Sequence, residues 1–539
     1  MTETEIKYDA PDGVVLPRFE ELPEVSHTRQ ASQEDLEAQY FDTVDLRLIR
    51  AGITLRRRTG GHDAGWHLKM PAGAHTRREF HLPLGVSENL GVSENLGDHE
   101  TEVPAEFAER VTVYTRREPL RPAAVITTVR QRLILLSDSG DSLAELAVDD
   151  VRSRRAGDSA TDAWREIELE LTGGDHALLD AADRLLRDSG LRHSANSAKF
   201  ERVVGFDPAR RRGQDQAELS PSSPAGAVVI AYLSRQAQLL KALDPAVRAS
   251  EPDTVHQMRI ACRRLRSTLQ TFGPVIWRTD TSAVAAELKW LAGLLGAARD
   301  AEVLAGHLLA AIDDTPVEQV LGPVQARVRT HFAPIAAHAQ AEVVAALGSD
   351  RYFDLLDQLD ALTGEPGLTG EPGLTGEPGL TGEPGLTGEP GLTGAAARPA
   401  RKALPPAVRR TYRQTRRRMH RARHAPPGQR RDVALHETRK AAKRARYAAE
   451  AASLALGRPA RRFAKQLKHL QAELGDHQDS VISRRVLREL GVAAALAGEN
   501  AFSYGLLYQQ DADAGSAAQA TALRTWSKAA RPRYRRWLA

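Results

Sequence analysis

The chain is 539 residues long and 42% apolar, with 74 Lys and Arg against 70 Asp and Glu for a formal net charge of +4. That length exceeds one ordinary core and calls for two or more domains, for which the apolar share is sufficient. No apolar run of about 18 residues occurs, which argues against a membrane span, and a single cysteine, Cys262, excludes an intramolecular disulfide framework.

In chain order, the opening MTETEIKYDA lacks the basic start and apolar core of a secretory signal. A cytoplasmic location is expected. The first ~200 residues read as mixed, with much strand. Period-two alternation recurs over Thr2–Tyr8, Ile53–Arg58, Trp66–Met70, Val125–Leu136, Leu143–Val148 and Trp164–Leu171, and a helical stretch covers His176–Ser189. A duplicated GVSENL at 85–90 and 91–96 reads as a loop expansion. These features predict a strand-rich first domain over 1–209. Residues 210–225 lose periodicity and gain Pro, Ser and charge, so a linker is expected there.

From residue 226 the apolar spacing becomes three and four, which predicts helices to the end of the chain. Five copies of TGEPGL at 363–392 interrupt them, and Gly with Pro in each copy excludes a regular helix or strand. The expected layout is a first helical unit over 226–360, a low-complexity spacer over 361–396 and a second helical unit over 397–539.

Two constellations carry chemistry. On the strands, alternation puts Glu3, Glu5 and Lys7 on one face, as it does Arg56 with Arg58, Arg130 with Arg132, and Glu166 with Glu168 and Glu170. Lys69 and Arg78 add cations. Any one such strand is ordinarily the wet face of an antiparallel sheet. Segregation of sign between strands favours a closed barrel with a charged interior instead. Cations there would bind phosphate oxygens, and carboxylates would hold a divalent ion.

On the helices, His256, Arg259, Arg263 and Arg266 stand at i, i+3, i+7 and i+10 and share one face. The stripe returns 180 residues later as His436, Arg439, Lys440, Lys443 and Arg446. Leu295-Gly296-x-x-Arg299-Asp300 returns 179 residues later as Leu474-Gly475-x-His477-x-Asp479. One basic helix is usually just solvated. A stripe repeated in order indicates a duplicated unit with a common ligand. Residues 401–446 hold 17 Lys and Arg against two acids, Asp432 and Glu437, which points to a polyanion. Guanidinium suits phosphate because it is planar and can bind two oxygens at once. Tyr412 and Tyr447 are the only Phe, Tyr or Trp residues of 401–447, so stacking platforms for nucleic acid are scarce. Zinc is disfavoured, since no Cys pair stands at ligand spacing.

Glu3-x-Glu5-x-Lys7, the Tyr40-Phe41-Asp42-Thr43 segment, Leu55-Arg56-Arg57-Arg58, Trp66-x-x-Lys69, Arg78-Glu79, Arg130-x-Arg132, Glu145 with Asp149-Asp150, Trp164-Arg165-Glu166-x-Glu168-x-Glu170 and Ser197-x-Lys199 occur in this order. The set resembles the CYTH, or triphosphate tunnel metalloenzyme, family over about residues 1–205. The resemblance implies an eight-stranded antiparallel barrel, a triphosphate substrate and Mg²⁺ or Mn²⁺. It further implies phosphate contacts from Lys7, Arg56, Arg58, Lys69, Arg78, Arg130, Arg132 and Lys199. Glu3, Glu5, Glu168 and Glu170 would hold metal or orient water, with Glu3, Glu5 and Lys7 as the catalytic signature.

The helical half resembles the CHAD (conserved histidine α-helical) domain. That implies two pseudo-symmetric four-helix units and inorganic polyphosphate as ligand, bound by His256, Arg259, Arg263, Arg266, Arg299, His436, Arg439, Lys440, Lys443, Arg446 and His477. Together the two resemblances lead to a hydrolase that splits inorganic triphosphate into pyrophosphate and phosphate while held on polyphosphate, in the cytoplasm or on polyphosphate granules. The alternatives are a thiamine or nucleoside triphosphatase, an adenylate cyclase, and a non-catalytic polyphosphate binder.

Overall fold

The structure is a computed structural model that describes residues 2–11, 13–71, 76–84, 102–196, 198–206, 218–277, 280–364 and 392–539, the side chains of Thr2 and Glu3 excepted. The GVSENL duplication, Ser197 and most of the TGEPGL spacer lie outside the described residues. The chain divides into two compact units, Met1–Ala217 and Glu218–Ala539.

The first unit is a closed antiparallel barrel. Its eight strands are β1 (Thr2–Ala10), β3 (Glu34–Asp42), β4 (Thr54–Thr59), β5 (Gly65–Pro71), β6 (Thr76–Leu82), β7 (Arg121–Leu136), β8 (Ser142–Arg155) and β9 (Thr161–Leu171). They pair in the order β1-β6-β5-β4-β3-β7-β8-β9, and β9 closes the ring on β1. Two short strands, β2 (His27–Gln30) on β7 and β10 (Arg192–His193) on β1, extend the sheet.

The alternating runs all became strands, and the long ones extend further than alternation suggested. β3 was not among them because Tyr40 and Phe41 are both buried, on opposite faces, which erases the period. The apolar faces point outward and are covered by helices. The helix over Ala105–Thr115, α2, packs Phe107 and Val111 against Phe41, Leu55, Trp66 and Leu68. The helix over His176–Asp188, α3, is capped by the Asp175 side chain, which accepts from the Leu178 amide. It packs Leu178, Leu179, Ala182 and Leu186 against Tyr8, Leu146, Ile167 and Leu169. A single turn, α1 (Arg47–Arg50), hangs on the buried Asp42 carboxylate, which accepts from the amides of Thr43, Leu48 and Ile49. A second short helix, α4 (Lys199–Val203), brings Phe200 onto the Tyr40 ring, with centroids 5.0 Å apart. With these apolar residues outside, one set of charged positions on the strands is left for the lumen.

The second unit is helical throughout. Its helices are α5 (Ala225–Arg248), α6 (Thr254–Ile276), α7 (Ser282–Asp313), α8 (Val324–Leu347), α9 (Asp350–Thr363), α10 (Ala400–His424), α11 (Gln429–Leu456), α12 (Arg458–Leu496) and α13 (Phe502–Ala529). The first repeat of each motif lies on α6 and α7 and the second on α11 and α12, so α5–α8 correspond to α10–α13. Just before α5 and α10 the chain makes a reciprocal exchange. The amides of Ala225 and Gly226 donate to the carbonyls of Arg398 and Ala396, and those of Ala400 and Arg401 donate to Ser223 and Pro221. Each helix thus satisfies amides at its open N-terminus with the other's approach segment.

Candidate functional site

Strand register assigns the lumen face residue by residue, because directly paired residues share a face. Starting from Lys7, the pairings Lys7↔Glu168, Glu5↔Glu170, Glu145↔Glu170 and Arg130↔Asp149 place these groups together. Tyr40↔Arg56, Arg56↔His67 and Lys69↔Glu79 complete the circuit. The backbone of Glu3 lies on this face too, opposite Arg77, but its side chain is outside the described residues.

One expected cation is not in the lumen. Arg78 pairs with Met70, which packs in the outer core, and its guanidinium lies 5.7 Å from the Phe80 ring. Arg77 takes the lumen position. The signal was in the sequence: in TRREFHL, Phe80 and Leu82 share the parity of Arg78, so the outer, apolar face includes Arg78.

The lumen sorts into three regions. In the first, the Lys199 ammonium of α4 sits among three carboxylates, 2.8 Å from Asp149, 2.7 Å from Glu166 and 2.8 Å from Glu168. Arg130 binds Asp149 with two nitrogens at 2.6 and 2.7 Å and reaches Glu168 at 2.8 Å. Lys7 also bonds Glu168. Burial works against the charge on Glu168, yet Lys199, Lys7 and Arg130 together hold it well below the usual carboxylate range. Asp149, Glu166 and Glu168 offer oxygens within 4.8 Å of one another, a spacing that could hold a metal ion. Asp149 and Glu166 were not among the expected metal ligands, although Glu166 shares the charged face of Glu168 and Glu170 and pairs with Asp149.

The second region is cationic. Arg56 reaches the Tyr40 hydroxyl at 3.3 Å, and Arg58 is buried and paired with Asp63. Burial, with Arg56 and Arg130 nearby, lowers Arg58 to about 9. His67, a lumen residue that sequence reasoning passed over, is lowered to about 4 by burial and by Arg56 and Arg58, against its 2.8 Å contact with Glu79.

The third region is acidic. Glu170 is raised to about 7 by burial and by Glu5, Glu168 and Glu145, which outweigh Lys69. Glu5 is 3.3 Å from Lys7. Burial opposes its charge, but Lys7, Lys69 and Arg77 hold it below the usual range. Arg132 stands apart, between Glu34 at 3.1 Å and Glu145 at 3.3 Å.

In the helical unit the two stripes meet where α6 packs on α11. Arg259 binds Asp300 at 2.7 Å and lies over Gly296, where an added Cβ would come 3.2 Å from its guanidinium. Arg439 lies likewise over Gly475, at 2.9 Å. The glycine of each Leu-Gly pair is therefore the seat of an arginine. Burial and the neighbours Arg439, Arg263 and Arg259 drive Lys443 down to about 6. Burial, Arg259 and Arg439 lower Arg263 as well. Like charges here outnumber the nearby acids Asp300 and Asp479, and we call this cluster the cationic seam.

His256 and His436 are both lowered, each by burial first and then by a neighbouring cation, Arg299 and Lys440 respectively. Arg299 itself binds Glu302 at 2.8 Å, and Arg446 is held by Glu450 at 2.7 Å and Gln471 at 3.2 Å. Lys440 is exposed and 3.0 Å from Glu437. Arg266 lies close enough to Arg444 to lower it, after burial. His477, expected on the ligand surface, is instead 4% exposed and 3.2 Å from Asp432. It matches Ala298 of the first repeat, a buried position.

A closed antiparallel barrel with a charged lumen, followed by a duplicated basic helical unit, defines the class. The CYTH domain matches residues 1–200, and the CHAD domain matches 231–488. Two Mycobacterium tuberculosis proteins, both described only as uncharacterized, are 37% identical over 528 residues, covering 95% of this chain and 93% of theirs. The chain belongs to the family that joins a CYTH to a CHAD domain. Among solved structures, the CHAD domain of Ricinus communis is 25% identical, with a TM-score of 0.40, over 56% of this chain and 93% of that one. A Hippeastrum protein described as a candidate adenylyl cyclase with dominant triphosphatase activity is 16% identical, with a TM-score of 0.23, over 38% of this chain and 96% of that one. The CYTH family comprises metal-dependent triphosphate tunnel hydrolases and cyclases. No described helix is long and apolar enough to cross a membrane.

Proposed function

We propose that the barrel hydrolyses inorganic triphosphate to pyrophosphate and phosphate, and that the helical unit binds inorganic polyphosphate. One observation carries the first part. The same lumen holds a cationic region at Arg56 and Arg58, where burial and neighbouring arginines lower Arg58 despite its pairing with Asp63, and an acidic one at Glu170, which burial and neighbouring carboxylates raise. A triphosphate with its divalent ion would neutralise both at once.

The donor set fits Mg²⁺ or Mn²⁺, hard ions that take carboxylate oxygens. Glu5 and Glu170, with Glu168 released from its lysines and Glu3 beside them, would hold the ion, which supplies charge neutralisation at the phosphates when bound. Arg56, Arg58, Lys69, Arg77 and Arg130 bind the phosphate oxygens, and Lys7 and Lys199 turn from their carboxylates to the substrate. The Glu5 side orients the attacking water. Water adds to the terminal phosphorus, the bridging P–O bond breaks, and pyrophosphate leaves. Positioning and charge do most of the work, so no nucleophilic Ser or Cys is required.

For the helical unit, the support is the seam, where Arg259, Arg263, Arg439 and Lys443 crowd beyond their counter-charges. Bound to polyphosphate, the protein would accompany it in the cytoplasm or on granules.

Phosphate release from triphosphate, ATP, thiamine triphosphate and long polyphosphate, each with Mg²⁺, Mn²⁺ or EDTA, tests the reading. Metal-dependent turnover should favour triphosphate. Glu5→Gln should lose it by roughly a hundredfold or more, the scale of a missing transition-state interaction, while still binding polyphosphate. Preference for a nucleotide, or full activity in Glu5→Gln, would overturn it.

A further inference from the structure

The strongest feature outside both sites is the exposed face of α10. This helix carries ten Lys and Arg and no acid. Its counterpart, α5, carries three, of which Lys241 is neutralised by Asp360 at 2.6 Å and Arg248 by Asp244 at 2.6 Å. Among the described residues, Arg418 is the only cation of α10 in an ion pair, with Glu437 at 3.0 Å.

Lys402, Arg410, Arg413, Arg417 and Arg421 are exposed and lie within one 100° arc of the helix. From Lys402 to Arg421 the stripe runs about 29 Å at 1.5 Å per residue. It begins at a cavity of about 240 Å³ lined by Arg398, Lys402 and Arg410. Through Arg418, next to Arg417, it approaches the α6 stripe. Arg418 lies near Arg444, and Arg444 lies near Arg266, the last residue of the α6 stripe.

We propose that this face is a track for the part of a linear phosphate polymer that runs beyond the seam. The inference rests on the polyphosphate reading above and adds a second, length-dependent subsite to it. A row of exposed cations, four of them guanidinium groups, matches a row of phosphates. The helix presents no exposed Phe, Tyr or Trp for bases to stack on, since Tyr412, the only one it carries, is 3% exposed. Joining two weak segments of one ligand raises affinity without any new kind of contact. Short oligomers fill the seam alone, and only long chains use α10.

The test compares the full chain with a track variant (Arg413→Gln, Arg417→Gln, Arg421→Gln) and a seam variant (Arg263→Gln, Arg439→Gln). Calorimetry measures a short phosphate oligomer and long-chain polyphosphate at several salt concentrations, with circular dichroism and triphosphate turnover as checks of folding. The track variant should bind the oligomer as the parent does and the long chain about tenfold more weakly, with a shallower salt dependence. The seam variant should weaken both. Unchanged long-chain binding in the track variant, with the seam variant weakened, overturns the track and leaves the polyphosphate reading standing. A parent protein that binds neither ligand, or a seam variant with unchanged affinity for both, overturns that reading and this inference with it. Loss of duplex DNA binding in the track variant, with long-chain binding retained, assigns the face to nucleic acid and overturns the track.

Discussion

Lys443 shows what crowding does to a single charge. Burial and three arginines lower it to about 6, so at pH 8 the free protein holds it neutral. A polyanion in the seam removes the repulsion and draws a proton on. Binding should therefore take up protons above pH 6, and affinity should rise as pH falls towards 6, with no further gain from this group below it. Calorimetry in buffers of different ionisation enthalpy reads the uptake directly, and Lys443→Gln should abolish this contribution. Without ligand the sign is opposite. The unfolded chain binds the Lys443 proton more tightly, so this group's contribution to stability grows as pH rises from 6 towards the ordinary lysine value. His256 and His436, also lowered, act only below their ordinary range.

At the scale of the element, one strand separates two adjacent arginines. Arg77 faces the lumen, and Arg78 faces the outer core beside Phe80. Arg77→Gln should lower kcat/KM for triphosphate by about 10- to 100-fold, the cost of one charge-assisted contact. Arg78→Gln should stay within a few-fold of the parent. Steady-state kinetics on both variants decides it, and the reverse ranking would refute the register. Strand faces were legible wherever alternation was clean, as in Glu166–Glu170 and Arg130–Arg132. They were harder to read in β6, where two arginines stand side by side, and in β3, where burial on both faces hides the period. His477 failed for a helical reason. Motif position assigned it to the ligand face, but helical phase buries it against Asp432, as it buries Ala298 in the first repeat. The contacts of Lys199 with Asp149 and Glu166 depend on α4 returning to the barrel, and those of Lys7 with Glu168 on β9 closing on β1, which no local pattern encodes.

At the scale of the whole helical unit, the TGEPGL spacer links two halves that already hold each other. Backbone hydrogen bonds run from Ala225 and Gly226 to Arg398 and Ala396, and from Ala400 and Arg401 to Ser223 and Pro221. The core shared by Ala301, Leu308 and Val328 with Leu487, Leu490 and Tyr504 adds apolar contact between the halves. A protease site placed within 365–391 and cut in the folded protein should leave the two fragments co-eluting on size exclusion, with polyphosphate affinity within a few-fold of the uncut chain. Separation of the fragments on dilution would mean that the covalent link, not the exchange, keeps them together.

A contact in which each copy gives what it receives is the isologous interface of a two-fold homodimer. The helical unit is therefore a dimer written on one chain. While two identical polypeptides meet, every substitution appears twice, and a helix crowded with arginine on one side must be crowded on the other. On one chain the two copies are free to differ: α5 carries three cations, two of them neutralised, and α10 carries ten.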